Sequence, residues 1–172
     1  MANPHLFQDL LPLAELDLGL RAAGYHTDYS PPGEFENTAY EQIIVSLFQD
    51  RQGEDYLLRI LDLNQLLAAA RKTAQIEAVP ERALTLGFSL EFPYAVTAEQ
   101  LPELAWLALV LNRYTRLGAF GVHPADGLYY RYSWASAGQR PELALVAEIL
   151  EDMTTFASRY GHWFAQSLDG SH

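Results

Sequence analysis

The chain has 172 residues, no cysteine and a formal net charge of −11, from 11 Lys and Arg against 22 Asp and Glu. The lack of cysteine excludes disulfides, thiolate zinc sites and thiol catalysis. The acidic balance argues against nucleic-acid or anionic-membrane partners, because phosphate binding depends on clustered Lys and Arg. The length fits a single domain over residues 1–172. With neither a secretory leader nor an apolar run of about 20 residues, we expect a cytoplasmic protein.

The first half of the chain predicts one helix followed by mostly strands. Leucines at helical spacing indicate a helix over 6–23, and 25–37 holds at most one short strand. The β-branched and aromatic run within 39–49 predicts a strand buried on both faces. Turn residues follow it, so 55–63 is expected to pair back as a hairpin strand. An alanine-rich segment over 65–76 predicts a short helix.

The alternation of apolar and small or polar residues is strictest in 83–92, which predicts a half-buried strand. Gly87 in its middle indicates a bulge or a close approach of another element. Thr97 with Gln100 forms a candidate capping box for the next helix, which we expect to begin near Pro102 and to end at Gly118.

Two strands and a helix complete the chain. The strands are expected over 119–122 and 128–134, joined by the turn of 123–127, and the last helix over 141–168 with Pro141 at its first position. Because the strands come mostly as adjacent pairs, we predict an α+β fold with a mainly antiparallel sheet and long helices packed on it.

The long helices carry more apolar surface than one packing face needs. Residues 104–111 contain no polar side chain, and the apolar rows of 141–168 span about 160° against the ~100° of one face. Two interpretations remain: the helices pack within one chain, or part of this surface meets a second subunit or a client protein. The large aromatics of 128–134 suit an interface or a core. The predicted interface residues are Trp106, Leu109, Val110, Tyr130, Tyr132, Trp134, Phe156 and Trp163.

The sequence contains no recognisable catalytic set. His123 with Asp126 is the best metal candidate, but both are explained as turn chemistry. Asp50, Glu54 and Asp55 cluster around another turn, with a spacing that fits no calcium loop. Motifs for nucleophilic, nucleotide and zinc chemistry are missing. We therefore expect no catalytic residue, no metal and no cofactor.

The second half of the chain resembles a known family. An Asn-bearing helical run over 109–114 leads through Gly118 into a strand over 119–122, and an acidic-Gly turn at Asp126-Gly127 opens the next strand. This order is similar to that of the YbjN proteins and their type III secretion chaperone-like relatives, and the aromatic segment 156–163 resembles the C-terminal helix of those chaperones. The resemblance covers 84–168. It implies an α+β fold, a homodimer, no enzymatic activity and the binding of another protein.

Two functional hypotheses follow. The first is a non-enzymatic homodimeric protein-binding module, chaperone-like or regulatory, that takes up a protein segment along a strand edge or in a helix groove. The alternative is a small-ligand-binding regulator, with a pocket between the long helices and the sheet face of Leu86, Phe88 and Leu90. Enzymatic activity ranks behind both.

Overall fold

A computed structural model describes residues 12–33, 40–49, 55–75, 84–136 and 141–168. The helices are α1 (Pro12–Ala22), α2 (Leu63–Thr73), α3 (Leu101–Leu111) and α4 (Leu143–Leu168). The strands are β1 (His26–Ser30), β2 (Gln42–Gln49), β3 (Asp55–Asp62), β4 (Leu84–Glu91), β5 (Ala119–His123) and β6 (Gly127–Ser136).

The strands form one six-stranded sheet in the order β1-β2-β3-β4-β6-β5, and every neighbouring pair is antiparallel. Three of the five pairings join strands that are consecutive in the chain without a helix between them. The predicted α+β class with an antiparallel sheet is therefore confirmed.

The two faces of the sheet differ in their cover. On one face the alternate residues of β4 (Leu86, Phe88 and Leu90) are buried in a core that also receives the apolar stripes of α1, α3 and α4. The opposite face carries Gly87, Ser89 and Glu91 of the same strand, because successive side chains of a strand point to opposite sides. Only α2 lies over that second face, where Leu63 packs against Gly87. Among the described elements, three helices thus cover one face and one helix part of the other.

Most predicted elements are confirmed, with shifted ends. The short helix and the strands are present, and Gly87 marks a close approach, since an added Cβ would lie 2.7 Å from a Leu63 methyl carbon. Two predictions are wrong in detail. On the second face of β2, Gln42 is buried and Ile44 is partly buried but Ser46 is exposed, so the strand is not buried along its whole length on both faces. The last helix begins at Leu143, so Pro141 precedes it. Of the predicted first helix, the part before Pro12 lies outside the described residues.

The third helix starts and stops differently from the prediction. At its start, Gln100 Oε1 accepts hydrogen bonds from the Thr97 N–H (2.9 Å) and the Thr97 hydroxyl (3.0 Å), so only the glutamine half of the capping box forms. At its end, α3 stops at Leu111 instead of Gly118. The side chain of Asn112 bonds to the strand that follows, which requires the chain to leave the helix there.

A buried carboxylate links α1 and α2 to the sheet. Glu41, immediately before β2, is fully buried and accepts hydrogen bonds from the Leu13 N–H (3.2 Å), the Tyr29 hydroxyl (3.2 Å) and Gln65 Nε2 (3.0 Å). The Leu13 N–H belongs to the first turn of α1, where backbone donors lack helical partners. Burial raises the pKa of Glu41 above its usual value, and the charge of Asp62 acts in the same direction, while the hydrogen bonds oppose the shift.

We expect Glu41→Gln to change how stability depends on pH. With its raised pKa, folded Glu41 holds a proton at pH values where the unfolded chain has lost it. The free energy of unfolding therefore falls as pH rises from the unfolded pKa of about 4.3 through the folded pKa. A glutamine does not titrate, so the wild type should gain stability relative to Glu41→Gln as pH is lowered through this window. Urea unfolding of both proteins between about pH 4 and about pH 8 checks this; parallel pH curves would contradict it.

Candidate protein interface

The helix α3 is fixed to the edge strand β5 by the residue that caps its C-terminus. Asn112 donates from Nδ2 to the Phe120 carbonyl (2.9 Å) and accepts at Oδ1 from the Phe120 N–H (2.6 Å). The amide thus satisfies both outward-facing backbone groups of Phe120, as a neighbouring strand would. The Tyr130 hydroxyl donates to the Leu117 carbonyl in the connection that follows. These contacts hold α3 at a set distance and orientation relative to the sheet.

One side of α3 packs on the core and the opposite side is open. Leu104, Ala108 and Leu111 are buried, at the i, i+4 and i+7 spacing of a helix face. Trp106 and Leu109, three residues apart and therefore neighbours on the outer side, are 66% and 61% exposed. Such a pair of large exposed apolar side chains on one helix is typical of association surfaces in soluble proteins. The sequence-based expectation that one chain does not cover this helix on every side agrees with this exposure.

A stripe of α4 continues this surface. Phe156, Tyr160, Trp163 and Ser167 recur at steps of three and four residues, and the Ser167 hydroxyl donates to Glu103 on α3 (2.6 Å). That bond places the C-terminal end of the stripe beside the first turn of α3. The Phe156 and Tyr160 rings stack 6.0 Å apart, and Trp163 lies edge-on to Tyr160 with 47% exposure. We call Trp106, Leu109, Val110 and Trp163 the helix patch.

The structure separates the predicted interface residues into two groups. Trp106, Leu109, Val110, Phe156 and Trp163 lie on α3 and the adjoining stripe of α4.

The aromatics of β6 lie elsewhere. Tyr130 is fully buried against Phe120 and Phe156, so its assignment to an interface is wrong; its hydroxyl is occupied inside the chain. Tyr132 and Trp134 are half-buried and pack against the core from the helix-covered face. A strand of alternating aromatics suits a core as well as an interface, and here its large side chains fill the space beneath α4.

The edge of β5 is partly closed to an added strand. Because Asn112 occupies the outward N–H and C=O of Phe120, a peptide pairing along β5 would have to displace this amide. Strand addition, one of the two predicted binding modes, is thereby disfavoured at this edge. The other predicted mode, a protein segment held in a helix groove, does not involve this edge.

The predicted ligand pocket is not where the sequence placed it. Leu86, Phe88 and Leu90 are at most 1% exposed and pack tightly in the core. A groove of about 340 Å³ lies instead on the opposite face of the sheet, between α2 and the β5–β6 hairpin. It lies over Gly87, Ser89 and Glu91, the alternate residues of the same strand. The alternation that marked β4 as half-buried gave no indication of which face would hold a cavity.

The charged residues singled out as metal candidates behave as turn residues. In the 123–127 turn, His123 Nδ1 accepts the Ala125 N–H (3.2 Å), and Asp126 lies 3.6 Å from both His123 and Arg131. Within the described ranges, no three His, Asp or Glu side chains are grouped as metal ligands. Asp50 and Glu54 fall outside the described residues, and Asp55 is the first residue of β3.

None of the helices in the described part of the chain is both long enough and apolar enough to cross a membrane. Comparison with protein-family models finds no match to this sequence, and comparison with curated proteins finds no significant one.

Proposed function

We propose that the protein is a non-enzymatic protein-binding module that associates as a homodimer through the helix patch, as a cytoplasmic chaperone-like or regulatory protein. The observation that carries the proposal is the exposure of Trp106 and Leu109, 66% and 61%, side by side on a helix that is rigidly attached to the sheet. Burial of such side chains at an interface is favourable by about 25 cal/mol for each Å² of apolar area. Trp is also enriched among residues that dominate binding energy.

The charges that flank the patch favour a second copy of the chain as its occupant. Homodimers mostly form about a two-fold axis, so that the same patch faces itself. If two α3 helices cross antiparallel at the height of Ala108, the first turn of one helix, with Glu103, lies beside the end of the other, which Arg113 follows by two residues. In the same arrangement Trp106 faces the partner's Val110. The acidic first turn of α3 and the arginine just beyond its end are therefore complementary to the same residues of the partner, which favours this orientation.

A stable dimer interface has to extend beyond α3. An 11-residue helix is only about 16 Å long, which is too short to supply by itself the area of about 800 Å² that a stable interface buries on each partner. The adjoining stripe of α4, with Trp163 exposed beside it, extends the apolar area beyond α3. The placement of Asn112 and Gly118 at the ends of the α3–β5 connection also supports the proposed relation to the type III secretion chaperone-like proteins.

Leu109→Glu is expected to convert the dimer to a monomer. Leu109 is exposed within one chain, so the substitution should leave folding intact, while in the dimer it would bury two unpaired carboxylates. We expect the dissociation constant to rise at least about 100-fold. Light scattering across micromolar concentrations should give twice the 19.3 kDa chain mass for the wild type and the single mass for the variant.

Leu18→Glu provides the matched control, since Leu18 on α1 is 54% exposed and lies outside the patch; this variant should remain dimeric.

A charge exchange tests the orientation: Arg113→Glu should weaken the dimer, and Glu103→Arg together with Arg113→Glu should restore it. A wild-type protein that is strictly monomeric up to about 100 μM would contradict the homodimer, because a dissociation constant well above this corresponds to less than about 5.5 kcal/mol of association.

A further inference from the structure

We propose that the groove beneath α2 binds a small amphipathic carboxylate, with its apolar body under α2 and its carboxylate on Arg131. The groove is distinct from the helix patch, so this inference does not depend on the proposed dimer. Its volume of about 340 Å³ lies within the range of small-molecule sites.

The first observation is that α2 is an amphipathic helix without a full packing partner. Asp62 caps its start by accepting the Asn64 N–H (2.9 Å), and Gln65 bonds to Glu41. Nevertheless, no residue of α2 is buried, and Leu63 packs on the sheet at Gly87. Leu66 lines the groove beside Leu63. The sequence thus builds an apolar stripe that the described part of the chain covers incompletely, and an apolar ligand body would complete the cover.

The second observation is a row of polar side chains that forms the floor of the groove. Arg59, Ser89 and Arg131 are direct cross-strand partners on β3, β4 and β6, so they lie side by side on one face. Arg59 is held by Glu91 through two N–O contacts of 3.2 Å each. Arg131 donates from Nε to the Ser89 hydroxyl (3.2 Å), and its guanidinium lies over the Tyr129 ring at 4.0 Å. The Arg131 side chain is therefore oriented by two neutral neighbours.

The charges of the floor select an anion over a cation. Glu91 is already paired in bidentate fashion with Arg59, which leaves little for a cationic ligand to gain there. Arg131 has a weaker partner: Asp126 lies 3.6 Å away, beyond hydrogen-bond distance, and both side chains are about half exposed. Such exposed pairs contribute about 0–1 kcal/mol. A ligand carboxylate can displace Asp126 and bond to the planar donors of Arg131, for which Arg geometry is well suited.

The test uses octanoate as the probe, and its binding to the full chain is measured by NMR titration. We expect saturable shifts of the Gly87, Ser89 and Arg131 amides with a dissociation constant on the order of 1 mM, a reasonable affinity for a ligand of this size. Octanamide has the same apolar body without the charge, and its affinity should be lower by at least about tenfold. Arg131→Gln should weaken octanoate binding by about tenfold or more, the factor that corresponds to losing a charge-assisted pair.

Two further variants complete the design. Leu66→Ser should weaken octanoate and octanamide alike, because it removes the apolar wall, whereas Arg116→Gln, on the exposed turn after α3, should change neither. The monomeric Leu109→Glu variant should bind octanoate as the wild type does. The proposal is overturned if octanoate produces no saturable shifts, if octanamide binds equally well, or if Arg131→Gln binds octanoate with unchanged affinity in a folded protein.

Discussion

Replacement of Phe164 by alanine should lower the free energy of unfolding by about 3–5 kcal/mol, the cost typical of removing a buried aromatic ring from a core. Phe164 is fully buried on α4, with its ring 5.3 Å from that of Phe120 and 6.1 Å from that of Phe92. Phe120 belongs to the edge strand β5, and Phe92 directly follows β4. The ring therefore packs α4 against β5 and against the end of β4. Its removal leaves a cavity where these three elements meet.

This measurement should be made in the monomeric Leu109→Glu background, because dimer formation would otherwise add its own concentration-dependent stability. Urea unfolding gives the change directly if the slope stays constant. Leu18→Ala is the matched control: Leu18 is 54% exposed, so a loss below about 1 kcal/mol is expected. A loss for Phe164→Ala no greater than that of the control would show that α4 does not pack on β5 as described.

The sequence was sufficient to predict the architecture because each element carries a local signal. The alternation in 84–91 indicates a strand with one core face. The turn residues 50–54, with a strand pattern on either side, indicate an antiparallel hairpin without any knowledge of the rest of the chain. The order of strands across the sheet is a different matter. In the structure β6 rather than β5 pairs with β4, and this choice depends on long-range packing that periodicity does not report.

The end of α3 shows why the site was predicted only in part. The apolar run 104–111 correctly indicated a helix whose surface exceeds the core, but its predicted end at Gly118 was wrong by seven residues. Asn112 ends the helix by bonding to Phe120, eight residues away. A side chain that serves as the neighbour of an edge strand has no signature in composition or spacing.

The aromatics of β6 show a second limit. Tyr130 and Trp163 are both large and amphipathic, and sequence alone assigns both to an interface with equal reason. Tyr130 is fully buried because its ring packs between Phe120 and Phe156, whereas Trp163 is 47% exposed because it lies on the outward side of α4. The groove under α2 was missed for a similar reason: its floor combines Arg59, Ser89 and Arg131, which come from three strands and form no linear motif.

The connection between α3 and β5 should be intolerant of any side chain at Gly118, and this gives the second large expected effect. Gly118 has φ +66°, and a Cβ there would overlap the carbonyl oxygen of Arg131 on β6. Gly118→Ala should therefore destabilise the fold by more than about 2 kcal/mol, because the left-handed backbone cost adds to a collision with a strand. Gly127→Ala separates the two terms: Gly127 has nearly the same φ, +70°, and an added Cβ there would lie 3.4 Å from the Tyr94 carbonyl oxygen, an ordinary contact distance, so only the left-handed backbone cost of about 1 kcal/mol is expected. Urea unfolding of the two variants in the monomeric background makes the comparison, and equal losses would mean that the backbone of Arg131 does not restrict this turn. Since the same turn carries α3 and its exposed Trp106, a folded Gly118→Ala protein should also dimerise more weakly than Gly127→Ala.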